Sequence, residues 1–288
     1  MESLLLQLPL LESNHMKRLD GSELAGYIKE RQAKQVRGLR QAHHILPCMA
    51  IIQVLDTPVI NSYVKLKRRY ATDIGAELQS YIISQADAPA LIERLNNDPL
   101  VHGIIVQFPI EDMSQGDFLV NLVAPEKDVD ALGEHALFDP ATPLAVHWLL
   151  SGYNVELHGK RVVIIGRGRL VGRPLERMWR QSGIAVTVLD AQTPELEFLQ
   201  TVKNADVIVS ATGSPGVLKS DMIKPGAVVV DAGVATEKGK LVGDAAPELL
   251  ERDDITITPK KGGVGPLTVC AIFDNTLRAA RLAAGLGV

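Results

Sequence analysis

The 288-residue chain is 46% apolar and 22% charged, with 24 Gly and 16 Pro, an ordinary globular composition with length for about two domains. A net charge of −4 argues against a uniformly basic nucleic-acid binder, and no run approaches the roughly 20 apolar residues of a membrane helix. Two cysteines, Cys48 and Cys270, are too few for a disulfide scaffold or a cysteine-rich zinc site, and they fit a reducing cytoplasm.

The leader MESLLLQLPLLES carries an acidic Glu2 and no basic residue before Lys17, which suits neither a secretory signal nor a transit peptide. Residues 1–15 read as an extension or a first strand. Asp20 with Glu23 predicts a helix start and a helix through about Arg40. The apolar run CMAIIQVL, Cys48–Leu55, reads as a buried strand; a loop with Pro58 then leads to a charged helix from about Ser62 to Ile74. A strand near 79–83, a helix near 89–97 and the strand Gly103–Phe108 complete a β-α-β-α-β layer.

A second unit begins near Pro143 with a helix through Leu150. Strands follow at Lys160–Gly166, 185–189, 206–211 and 227–231, spaced to leave room for crossover helices. ITIT at 255–258 is a last strand before a glycine-rich loop and a helix from about Pro266 to Ala284. Alternation of this kind predicts two α/β lobes with a cleft, where such folds bind ligands at strand ends.

The loop Gly166-Arg-Gly168-Arg-Leu-Val171-Gly172 follows an apolar strand and precedes a helix, the setting in which glycines let a pyrophosphate approach a helix N-terminus. The spacing is GxGxxxG, not the commoner GxGxxG. The next strand ends in Asp190, 24 residues after Gly166. A carboxylate there accepts hydrogen bonds from ribose hydroxyls and repels a 2′-phosphate, which favours NAD over NADP. Arg167 and Arg169 pull the other way, because arginine suits a 2′-phosphate.

In the first half, Tyr63 and Lys67 are four apart and share a helix face. Gln107 closes an apolar strand just before Phe108-Pro109. Lys127-Asp128-Val129-Asp130 sets two carboxylates on alternate positions. They are candidate metal ligands, but no obvious third or fourth ligand accompanies them, so no metal is expected.

These patches together resemble the bifunctional methylenetetrahydrofolate dehydrogenase/methenyltetrahydrofolate cyclohydrolase family over nearly the whole chain. The carriers are Tyr63-Val-x-x-Lys67, Val101-His-Gly-Ile-Ile-Val-Gln107-Phe-Pro109, Pro125-Glu-Lys-Asp-Val-Asp130 and Gly166-Arg-x-x-x-Val-Gly172-Arg-Pro174. Ala211-Thr-Gly213-x-Pro215-Gly216, Ile223-Lys-Pro-Gly226, Gly243-Asp244 and Gly262-Gly-Val-Gly-Pro266-x-Thr268 complete the set.

The resemblance implies an N-terminal α/β substrate domain over 1–142, with the C-terminal helix 267–288 packing back on it, and a Rossmann-type dinucleotide-binding domain over 143–266. It implies oxidation of 5,10-methylenetetrahydrofolate with NAD or NADP, then hydrolysis to 10-formyltetrahydrofolate, in one-carbon metabolism. Lys67 would be the catalytic lysine, Gln107 its hydrogen-bond partner, Tyr63 the stacking partner of the aminobenzoate ring and Asp130 the acceptor for pterin N–H groups. Gly262, Gly263, Val264 and Pro266 would line the folate site. Gly166, Arg167, Gly168, Val171, Gly172, Asp190, Thr212, Gly213 and Val234 would hold the dinucleotide. The family implies a cytoplasmic homodimer.

Departures from the family pattern are Ala131 after Asp-Val-Asp130, where glycine is usual, and a segment from Asp130 to Thr142 shorter by roughly a dozen residues. Further departures are Lys260-Lys261 before Gly262, and Gly168 and Asp190-Ala191 in place of the usual serine and His-Ser. A folate- or nucleotide-binding paralogue without turnover, a dehydrogenase without cyclohydrolase, and a dehydrogenase of another small substrate are the alternative readings.

Overall fold

The structure, a computed structural model, describes residues 18–237 and 240–287; the expected extension or strand at 1–15 lies outside them. The chain divides into two compact units. The first is Gly26–Ala141 with residues 269–287, and the second is 142–268 with residues 18–25. Residues 18–25, which the sequence reading assigns to the substrate domain, therefore cluster with the second unit.

The first helix, α1 (Gly21–His43), starts where Asp20 Oδ1 accepts the N–H groups of Ser22 and Glu23, at 2.8 and 3.2 Å. The first unit carries the parallel strands β1 (Cys48–Gln53), β2 (Glu77–Ile82) and β3 (Gly103–Gln107) in the order β2-β1-β3. Every residue of the central β1 is buried, which is why it reads as one apolar run rather than an alternation. One core cluster joins Ala50, Ile52 and Val54 to Ile104 and Val106. It also takes in Leu91, Ile92 and Leu95 of α3 (Ala88–Asn96), and Leu119 and Val120 of α4 (Gly116–Asn121).

Helix α2 spans Pro58–Ile74, so Pro58 is not in a loop: the helix begins four residues before the expected Ser62. Thr57 caps it by accepting the N–H of Ile60 at 3.3 Å, and proline is well suited to the first helical turn, where its missing N–H has no partner to lose. Gly75 ends it in the left-handed conformation, φ +78°.

The second unit takes in α5 (Ala141–Gly152) from Thr142 on and holds five parallel strands. These are β4 (Val162–Ile165), β5 (Val186–Leu189), β6 (Val207–Ser210), β7 (Val228–Asp231) and β10 (Thr256–Ile257), in the order β10-β7-β6-β4-β5. Helices α6 (Gly172–Gln181) and α7 (Glu195–Asn204) supply two crossovers. The β6–β7 connection has no α-helix, contrary to the expected crossover; Gly213, Pro215 and Gly216 interrupt it, and it forms a single 3-10 turn, Ser220–Met222, and a bridge from Leu218 to Ala245. An antiparallel hairpin, β8 (Ala235–Glu237) with β9 (Lys240–Val242), was not anticipated. The last helix, α8, is Val264–Ala283, and from Val269 it clusters with the first unit.

Candidate active site

In the first unit, β1 and β3 run parallel with Gln53 opposite Gln107, so both amides stand at the carboxyl end of the sheet. Such ends are where open α/β sheets bind ligands. Lys67 lies on α2 and is buried, 8% exposed; its Nζ donates to Gln107 Oε1 at 2.7 Å. Gln107 Nε2 donates in turn to Phe108 O at 2.8 Å, which fixes the amide oxygen toward the lysine. The Phe108–Pro109 peptide is cis.

Asp130 reaches the same place by a different route. The segment after Asn121 runs beside β3: Ile104 N–H donates to Lys127 O at 2.7 Å, and Ile104 and Asp128 form a parallel bridge. Asp130 is half-buried and its charge acts on Lys67. Burial pushes the Lys67 ammonium below its ordinary value of 10.5, while Asp130 works against that shift. The same burial raises the Asp130 carboxyl, opposed by Lys67. Tyr63, one helical turn before Lys67, is half-buried, and desolvation raises its phenol.

Asp128, the other half of the carboxylate pair, has a structural task. It is buried, and its oxygens accept the N–H groups of Ala131 at 2.9 Å and Gly133 at 2.7 Å. Burial raises it to about 6. Ala131 adopts φ +55°, a left-handed conformation that disfavours a Cβ. Among the described residues, no group of three or more His, Cys, Asp or Glu is arranged to hold a metal ion.

The glycine turn of the second unit sits where the strand order reverses, since β4 lies between β5 and β6. That is the position at which doubly wound sheets take nucleotides. Gly166 has φ +103°, and a Cβ on it would lie 2.5 Å from Ala211 O. A Cβ on Gly172 would lie 1.9 Å from Gly166 O, so both glycines are needed to close the turn. Gly168 differs: a Cβ there would meet only Ala211 O, at 3.8 Å, leaving open space above the turn. No side chain caps the α6 N-terminus next to Val171; Pro174 brings no N–H, and Arg173 N–H closes the turn on Gly168 O at 3.1 Å. The glycine turn and the helix start behind it fit the pyrophosphate of a dinucleotide.

Arg167 Nε lies 3.6 Å from Asp190 Oδ2, so the two residues with opposed implications for the cofactor are paired. Asp190 Oδ1 also accepts the N–H of Gln192 at 2.9 Å. Gly213 has φ +66°, and a Cβ on it would lie 3.3 Å from Val234 O.

The sequence reading missed what shapes the Thr212–Ser214 turn. Buried Asp244 accepts Ser210 Oγ–H at 2.6 Å, Thr212 N–H at 2.7 Å and Ser214 N–H at 2.9 Å. Gly243-Asp244 served there only as one of the motifs carrying the resemblance.

Lys67, Gln107, Asp130 and Tyr63 thus share the first unit. Gly262, Gly263, Val264 and Pro266 belong to the second, where Gly262 O accepts Ser22 N–H at 2.9 Å and a Cβ on Gly21 would lie 1.9 Å from Gly263 O. Lys260 and Lys261 are exposed.

A nucleotide cradle at the switch point of one parallel sheet, and a buried lysine–amide pair at the carboxyl end of another, define a two-unit, dinucleotide-dependent enzyme class. Residues 19–130 match the family model of the tetrahydrofolate dehydrogenase/cyclohydrolase catalytic domain, and 140–284 match that of its NAD(P)-binding domain; the chain belongs to this family. It is 37% identical over 281 residues to the bifunctional protein FolD of Campylobacter jejuni, covering 92% of this chain and 99% of that protein. A crystal structure of the bifunctional FolD enzyme of Campylobacter jejuni superposes with a TM-score of 0.85 at 36% identity, covering 93% of this chain and 99% of that one. The FolD of Trypanosoma brucei, complexed with NADP and an inhibitor, superposes at 0.86 with 30% identity, over 94% and 99% of the two chains. No helix among the described residues is long and apolar enough to cross a membrane.

Proposed function

We propose that the chain oxidises 5,10-methylenetetrahydrofolate to the 5,10-methenyl form and hydrolyses that cation to 10-formyltetrahydrofolate, the two activities of its family. The observation that carries this reading is the buried Lys67 amine, held at 2.7 Å by an amide that is itself fixed to Phe108 O. A bound NAD(P)+ supplies the hydride acceptor for the oxidation. Gly166, Arg167, Gly168, Val171 and Gly172 would hold it, with Thr212, Gly213 and Val234 across the switch point.

For the hydrolysis, burial lowers the affinity of Lys67 for its proton, which favours the neutral amine, a competent base. With one N–H donated to Gln107, its lone pair takes the proton released as water adds to the methenyl carbon. The remaining hydroxyl proton passes to the ring nitrogen as the bond between that nitrogen and carbon opens. Asp130 offers only acceptors when ionised, which suits the amino and ring N–H groups of a pterin. Tyr63 stacks on the aminobenzoate ring.

Within this reading NAD is preferred to NADP. Asp190 repels a 2′-phosphate, and it engages Arg167, the residue that would otherwise meet that phosphate. A cytoplasmic homodimer completes the proposal; the two cysteines are buried and not joined in a disulfide, as a reducing compartment allows, and the dimer rests on family resemblance alone.

The test is initial rates of methylenetetrahydrofolate oxidation with NAD+ and NADP+ side by side, with methenyltetrahydrofolate hydrolysis followed on wild type and Lys67→Ala. The proposal expects turnover with NAD+ above NADP+ and hydrolysis lost in the variant. Binding of folate without turnover by either protein would establish a binding paralogue instead.

A further inference from the structure

Asn275 lies on α8 and is fully buried. Its Nδ2 donates to two backbone carbonyls, Val129 O and Asp139 O, each at 2.9 Å, while its Oδ1 is buried without a hydrogen-bond partner. The orientation is forced, because a flipped amide would set its oxygen against two carbonyl oxygens. A buried acceptor left unpaired is uncommon enough to need a reason. Here the reason is the pair of carbonyls: Val129 and Asp139 flank residues 130–138, the excursion that begins with Asp130.

The start of that excursion is held from one side by Asp128, whose carboxylate accepts the N–H groups of Ala131 and Gly133, while Ala131 sits at φ +55° and the Ala141 N–H to Asp130 O bond is long, at 3.4 Å. The preceding residue of α8 serves the other half of the site. Asp274 Oδ1 accepts from Arg31 and from Gln32, each at 3.3 Å. Tyr70 donates to Gln32 Oε1 at 2.7 Å, and Tyr70 stands about one turn beyond Lys67 on α2. Consecutive residues of one helix thus hold the two segments that carry Lys67 and Asp130.

We infer that Asn275 is a positioning residue for Asp130, acting through the backbone of Val129 and Asp139 to keep that carboxylate in register with Lys67 and the substrate. The inference rests on the roles given above to Lys67 and Asp130.

The experiment compares Asn275→Leu, which removes both donors at similar volume, with Asn275→Ser, which keeps one donor and leaves room for a water. In Asn275→Leu the KM for methenyltetrahydrofolate rises about tenfold, the scale of one buried hydrogen bond, while the KM for NAD+ in the dehydrogenase assay stays within about twofold. Asn275→Ser recovers part of the loss, and it carries the test if the leucine variant does not fold. Combined with Asp130→Asn, the Asn275 penalty disappears, because the residue it positions is already gone.

Penalties that add in full, an equal rise in both KM values, or an unchanged folate KM in a folded Asn275 variant would overturn the inference. If Asp130→Asn alone leaves the folate KM unchanged, the reading of Asp130 fails instead. Asn275 is then judged without substrate, on the Lys67 side-chain NMR signal at fixed pH. A displacement in the Asn275 variant in the same direction as in Asp130→Asn supports positioning, and an unmoved signal overturns it.

Discussion

The two units build their sites from different materials. In the first, the proposed site rests on a few side-chain atoms: the Lys67 amine, the Gln107 amide and the Asp130 carboxylate, brought together from a helix, a strand end and a loop, with the lysine and the carboxylate shifted by burial. In the second, the cradle is backbone shape, a turn whose glycines pack within a Cβ's reach of carbonyl oxygens, and its most prominent side chains, Arg167 and Asp190, are a partly exposed pair. The first site is therefore vulnerable to the loss of one polar group and the second to the gain of one methyl group.

That contrast predicts separable failures. The largest effect is expected for Lys67→Met, which keeps the length of the side chain and removes the base: methenyltetrahydrofolate hydrolysis falls by about 10³-fold, while the affinity for NAD+, measured by titration, is unchanged. Gly172→Ala is the converse. Its methyl group meets Gly166 O at 1.9 Å and forces the turn to move, so the KM for dinucleotide rises about 100-fold, the scale of a misplacement near 1 Å. Hydrolysis of methenyltetrahydrofolate supplied directly, which needs no dinucleotide, continues. Loss of both activities in either variant breaks the comparison.

Smaller changes sharpen it. Asp190→Ala frees Arg167 and removes a negative charge, so kcat/KM with NADP+ improves about tenfold, the scale of a charge-assisted hydrogen bond, with little change for NAD+. Rates with both cofactors over a salt series check this. Ala131→Gly relieves a left-handed alanine, φ +55°, and raises stability by about 1 kcal/mol, read from denaturant unfolding. Both activities survive that change.

What was legible in the sequence divides along similar lines. Local signals came through: the glycine spacing of 166–172, the i, i+4 placement of Tyr63 and Lys67, the Asp20 cap and the apolar run of β1. Thr57-Pro58 misled because proline marks loops as readily as it starts helices, and only the cap hydrogen bond to Ile60 separates the two. The hairpin 235–242 escaped because three-residue strands are too short to show an alternation. Asp244 and Asn275 were not assigned functional tasks, since their partners lie 30 to 34 and 136 to 146 residues away in the chain. No periodicity connects positions so distant. Asp128 was grouped with Asp130 by spacing, yet the fold turns it into a cap for Ala131 and Gly133.

The central claim is that Lys67 is a buried base whose proton affinity is set by burial against the charge of Asp130. Its most direct test is the pH dependence of kcat for methenyltetrahydrofolate hydrolysis in wild type and in Asp130→Asn. With the neutral amine as the proposed active form, the rate should rise with pH through a midpoint below the ordinary lysine value of 10.5. Removing Asp130 takes away the charge that favours the ammonium, so the midpoint should move lower still. A wild-type midpoint at or above 10.5, or one that moves upward in Asp130→Asn, would contradict the account.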